Sequence, residues 1–133
     1  MKSLLSILCF VFAGIAHSQQ LIQPRSITPE ADYENIHIEK VADDALQTTF
    51  VIWVKQSVRE HYHAWHTETV HVVEGSAEMT LDDSTFVIHP GDLIHIPKGT
   101  PHSVTQVLSE DPLKVVSVQS PRFYGDDRIF TKP

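Results

Sequence analysis

The chain has 133 residues, a single cysteine, and ten basic against seventeen acidic side chains, for a net charge of −7. This is one domain's worth of acidic protein. Nucleic acid and other polyanions are disfavoured as partners, because binding them needs a basic footprint.

In chain order, Lys2 leads into the apolar run "LLSILCFVFAGIA", followed by small residues at Ala16 and Ser18. Such an order predicts a secretory signal peptide over residues 1–18, cleaved after Ser18. The run is too short to span a bilayer as an anchor. Cys9 lies inside it behind the bulky Leu8, which argues against lipidation. The protein is therefore expected to be secreted or periplasmic, and off the membrane once the signal is removed. Cys9 would leave with that peptide, so stability must come from a core or a bound metal rather than a disulfide.

Residues 19–35 are polar and proline-bearing and predict an extended N-terminal arm. Residues 36–119 then carry short β-type runs: "IHIEKV", "TTFVIWV", "VREHYH", "ETVHVVEG", "AEMTL", "TFVIHPG", "LIHIP", "HSVTQV" and "LKVVSVQ". Several alternate apolar with polar or are β-branched, and Gly, Pro, Asp or Ser bounds each one. "LDDST" reads as a hairpin turn between Met79 and Phe86, while "HPGD" and "PKGTP" punctuate the next connections. No stretch shows an apolar stripe at helical spacing. The expected fold class is all-β, a single-domain sandwich or small barrel of jelly-roll type. Residues 120–133 are too irregular to assign and stand apart as a C-terminal tail.

The chemistry concentrates in "EHYHAWHTETVHVVEG". On a strand, residues two apart share a face, so His61 and His63 project together. Glu68 follows a short segment that can turn the chain into the next strand, and the rigid "PKGTP" turn can aim His102 at the same point. Three imidazoles and a carboxylate suit a borderline divalent metal and leave coordination positions open. Each part alone is weak, since an HxH pair on a strand is more often a wet face.

The joint spacing is more specific. After His61-Tyr62-His63, four residues lead to Glu68 and six more to Gly75; after Gly91, five residues lead to Pro97, then Gly99 and, two residues on, His102. These runs resemble the two motifs of the cupin superfamily, G(x)5HxH(x)3–4E(x)6G and G(x)5PxG(x)2H(x)3N. Two positions depart. A residue other than glycine stands at the leading position, and Gln106 replaces the closing asparagine. The resemblance implies a double-stranded β-helix barrel, with His61, His63, Glu68 and His102 as ligands of one divalent transition metal (Fe, Mn, Zn, Ni or Cu). It leaves Gln106 a supporting role beside the site. His95 is a candidate pocket residue because it alternates with Ile94 and Ile96. His66 is at most a spare ligand, and His71 and His89 read as surface.

Activities of such proteins include metal-dependent dioxygenases, isomerases, epimerases, lyases and hydrolases, as well as non-catalytic binding proteins, and fold does not choose among them. The favoured expectation is a metal-dependent enzyme acting on a small oxygenated molecule, a sugar acid or a phenolic. The alternative is a metal-holding module that binds a small ligand without turnover. The tail carries Arg122, Phe123, Tyr124, Arg128 and Phe130. It either covers the barrel's outside or reaches the mouth or a second subunit, where an arginine could grip a carboxylate. A homodimer is expected, because an uncovered sheet edge invites pairing.

Overall fold

A computed structural model describes residues 20–131, and the expected signal peptide lies outside these described residues. After a short 3-10 turn at Pro24–Ser26 come ten strands: β1 Ile36–Asp43, β2 Thr48–Val54, β3 Val58–Tyr62, β4 Thr67–Glu74, β5 Ala77–Leu81, β6 Ser84–Ile88, β7 Leu93–Ile96, β8 His102–Val107, β9 Leu113–Ser120 and β10 Ile129–Phe130. The nine segments expected as strands each form one. The tenth arises from the unassigned tail.

Every pairing is antiparallel, and the strands form two five-stranded sheets in the orders β1-β2-β9-β4-β7 and β10-β3-β8-β5-β6. Successive strands thus switch repeatedly between sheets, which makes the expected double-stranded β-helix. The period-2 pattern of each strand turns one row of side chains inward. Val54, Val70, Val72, Ile96, Leu113 and Val115 of the first sheet meet Ala77, Met79, Ile88 and Val104 of the second in one buried core.

Local chemistry fixes the connections. Asp82 takes a positive φ of 51° in the β5–β6 hairpin, and Met79 pairs with Phe86 as the turn requires. Gly75 has a φ of 78°, and a Cβ there would stand 2.8 Å from the Pro112 carbonyl oxygen and 2.9 Å from the Leu113 Cα. Only glycine fits that crossing, where β4 gives way to β5.

The N-terminal arm is extended apart from its single turn and lies against the outer face of the first sheet. Lys114, 3% exposed, points outward from β9 and donates to the carbonyls of Arg25 and Ile27 at 3.2 and 2.8 Å. Its ammonium also lies over the buried Trp53 ring. Asn35 fastens the other end of the arm, donating to the Ser57 carbonyl and accepting from the amides of Gln56 and Ser57.

Candidate metal centre

The pairing of β3 with β8 sets His61 directly opposite His102, with ring centroids 4.3 Å apart. His63, just past the end of β3, projects on the same side, 5.3 Å from His61 and 5.5 Å from His102. The turn that delivers His102 is tied to this strand end. Gly99, with a φ of 81°, donates its amide to the His63 carbonyl at 2.6 Å. Glu68 comes from β4 in the opposing sheet, its Oε2 lying 3.2 Å from His102 Nε2 and 3.4 Å from His63 Nε2. All four side chains are buried.

The outer nitrogen of each ring is already committed. His61 Nδ1 donates to the Arg59 carbonyl at 2.8 Å, His102 Nδ1 to the Thr100 carbonyl at 3.0 Å, and His63 Nδ1 to the Asp127 carbonyl. With Nδ1–H fixed this way, each neutral ring turns its Nε2 lone pair inward. The ligand nitrogens of the three histidines lie within 4.8 Å of one another, near the roughly 3–4 Å that separates ligands held at ~2.1 Å from one ion. Among the described residues His102 Nε2 has no hydrogen-bond donor. In the neutral tautomer its lone pair faces a carboxylate oxygen, an arrangement that a shared cation relieves. The three buried histidines could hold a metal, and the residues present fit a divalent transition ion.

The electrostatics favour the ligand protonation states. Burial, the neighbouring His102 and, more weakly, Arg128 and His63 push the His61 imidazole down to about 4, against the Arg59 hydrogen bond. Burial alone would raise the Glu68 carboxyl. In the metal-free site, where a ring proton on the His102 or His63 Nε2 takes the place of the ion, hydrogen bonds from those rings and from Ser117 outweigh it and hold the carboxylate well below its usual range. A neutral imidazole and an ionised carboxylate are the forms that bind metal.

The site opens into a cavity of about 80 Å³, room for several waters or part of a small ligand. Its walls are mainly apolar, among them Ile52, Val70, Met79, Ile96 and Val104, with the four candidate ligands and Gln119 supplying polarity. Arg128 also lines it.

The tail builds part of the centre. β10 pairs with β3, Ile129 against Tyr62 and Phe130 against His61, which draws Asp127 into the interior at 2% exposure. Its carboxylate accepts from the amides of Ala64, Trp65 and His66 at 2.9, 2.8 and 3.2 Å, and from His66 Nδ1 at 2.6 Å. Burial opposes ionisation of Asp127, but the His66 and backbone hydrogen bonds prevail and lower its carboxyl below the usual value. Phe123 closes the back of this corner, edge-on to His63 at 5.8 Å and to His66 at 5.1 Å.

Residues 48–119, more than half of the sequence, match the cupin domain family. The chain belongs to that family. In sequence this cupin is similar to quercetin 2,3-dioxygenase of Bacillus subtilis, 37% identical over 65 residues, which are 49% of this chain but only 19% of that enzyme. It is also similar to an uncharacterized protein of Aquifex aeolicus, 28% identical over 111 residues, covering 84% of this chain and 87% of the other. Among solved structures it resembles KdgF from Halomonas sp., with a TM-score of 0.66 and 22% identity over 78% of this chain and 96% of that one. It likewise resembles Streptomyces Pac13, a nucleoside dehydratase, with a TM-score of 0.67 and 16% identity over 86% and 92% of the two chains. At such identities the structural likeness shows the fold.

The cupin barrel brings together His61, His63, Glu68 and His102. It does not bring in the two supporting candidates. Gln106 is exposed and outside the cavity lining, because the β5–β8 register shifts between Met79, opposite Val104, and Glu78, opposite Gln106. This bulge spends one residue and reverses the side on which Gln106 would have followed Val104. His95 is exposed opposite Thr69, since buried Ile94 and Ile96 take the inward positions of β7. His66 is buried but turned away from the cluster, with Nδ1 on Asp127 and Nε2 on the Arg122 carbonyl at 3.1 Å.

Two residues were missed. Gln119 is buried beside Glu68, its cross-strand partner, and its Oε1 has no hydrogen-bond partner among the described residues. The signal was present: Leu113, Val115, Ser117 and Gln119 continue one inward row in which the last two are polar. Asp127 left no comparable signal, because its partners lie more than sixty residues earlier in the chain.

Proposed function

We propose that this cupin is a metal-dependent enzyme that binds a small oxygenated molecule at a His61–His63–Glu68–His102 centre. The observation that carries the reading is the set of three histidines with anchored Nδ1 atoms, turning Nε2 toward one point beside a buried carboxylate. A divalent metal bound there supplies Lewis acidity to a chelating oxygen ligand. The chain's own residues supply the rest. Ser117 holds one Glu68 oxygen, Gln119 Oε1 is a free acceptor for a hydroxyl on the bound molecule, and the aliphatic walls keep water from the reacting atoms. Those walls suit a phenolic better than a polyhydroxylated sugar acid, which would leave many hydroxyls without partners. The likeness to a quercetin dioxygenase points the same way. Export and assembly as a homodimer remain proposals resting on the sequence pattern.

The test is elemental analysis of natively purified protein, followed by assays with flavonols, catechols, diketones and sugar acids. The expected result is one metal per chain and turnover of a phenolic that disappears in His61→Ala. Full loading with ligand binding but no turnover across the panel would instead support a binding module.

A further inference from the structure

The cavity has one feature that metal binding does not use. Arg128 is the only lysine or arginine among its lining residues, and no acidic side chain pairs with it among the described residues. The other nearby cations are engaged. Arg122 holds Asp43 through two hydrogen bonds at 3.1 and 2.6 Å, Lys114 clasps the N-terminal arm, and Arg59 lies over the Phe130 ring at 4.4 Å. The fold fixes the backbone on both sides of Arg128. β10 pairs with the strand that carries His61, and the buried carboxylate of Asp127 anchors the preceding residue beneath the His63 loop. In a protein with a net charge of −7, an unpaired guanidinium lining a mainly apolar cavity is a local attractor for anions.

We propose that Arg128 is a specificity-determining residue that grips the carboxylate of the bound molecule while an oxygen at its other end meets the metal. The substrate class is therefore a small aromatic or enolic acid, with a chelating oxygen pair separated from its carboxylate by an apolar body. A guanidinium offers two parallel N–H donors to a carboxylate and only weaker contacts to a neutral amide of the same shape. This assignment rests on the metal-centre reading given above.

The experiment titrates Co2+ into metal-free protein and then follows the visible bands of the loaded protein with a matched pair, 3,4-dihydroxybenzoate and 3,4-dihydroxybenzamide. Wild type should bind the acid about tenfold more tightly than the amide, the lower end expected for a charge-assisted hydrogen bond because Arg128 remains exposed. Arg128→Gln should lose that preference while its Co2+ affinity and its amide affinity stay within about twofold, and Arg128→Lys should recover part of it. A Co2+-loaded wild type with no acid preference, or an Arg128→Gln variant that keeps it, overturns the assignment and leaves the metal centre standing. A wild type that takes up no Co2+ overturns both.

Discussion

His61 and His102 are held within their own stretches of chain, whereas His63 is held from the far end of it. The first two rings donate to carbonyls two residues earlier, Arg59 and Thr100. His63 donates to the carbonyl of Asp127, and the loop after it is pinned by the Asp127 carboxylate. Two corners of the centre are thus oriented by contacts within three residues of chain, and the third takes its ring orientation from the tail. The difference teaches that a short cupin can place its ligands with local motifs yet depend on a distant segment to orient one of them. Residues that hold a ligand's second nitrogen commonly govern metal affinity.

The comparison can be broken most completely by removing ligands from both corners. His61→Ala with His63→Ala should abolish metal binding, with stoichiometry falling from one ion per chain to none by elemental analysis. Asp127→Ala attacks the distant corner alone. It strands His66 and three backbone amides in the interior, so we expect a loss of about 3 kcal/mol in denaturant unfolding. Metal affinity should fall by roughly 10–100-fold, because the backbone carbonyl that orients His63 survives the substitution but loses the carboxylate contacts that hold it in place. Equal weakening on disrupting the Thr100 or Arg59 anchor would remove the distinction between the corners.

Acid should sharpen the contrast in metal-free protein. His61 has its folded value pushed down to about 4 from 6.5, so between those pH values the unfolded chain binds the proton that the folded one refuses. Stability should therefore fall as pH drops from about 6.5 toward 4. Asp127, whose carboxyl is lowered, adds a loss only further down, as pH falls through its folded value. Melting temperatures of the metal-free wild type and of His61→Ala across this window test the point, since the variant should show the shallower slope. The smallest effects belong to Gln106→Ala and His95→Ala. Both side chains are exposed and outside the cavity lining, so metal affinity should be unchanged and stability should move by no more than about 0.5 kcal/mol.

Much of this was legible in the chain. The nine barrel strands announce themselves by alternation and turn residues, and the spacing from His61 to Gly75 and from Gly91 to His102 singles out the four side chains that converge. What escaped did so for different reasons. β10 is two residues long and exists only because it finds β3. Asp127 matters through partners that sequence distance hides. The motif's closing position gave Gln106 its supporting role, and a register shift that motif spacing does not reveal turns it outward, whereas the inward row from Leu113 leads straight to Gln119.

The proposed centre has His61, His63, Glu68 and His102 holding one divalent transition ion in a mainly apolar cavity. X-ray absorption at the metal edge of natively loaded protein tests it most directly. The expected spectrum shows one ion per chain with three imidazole nitrogens and a carboxylate oxygen at roughly 2.0–2.2 Å, and a shell that loses an imidazole in His102→Ala. An edge spectrum without imidazole scattering, or one unchanged by that substitution, would contradict it.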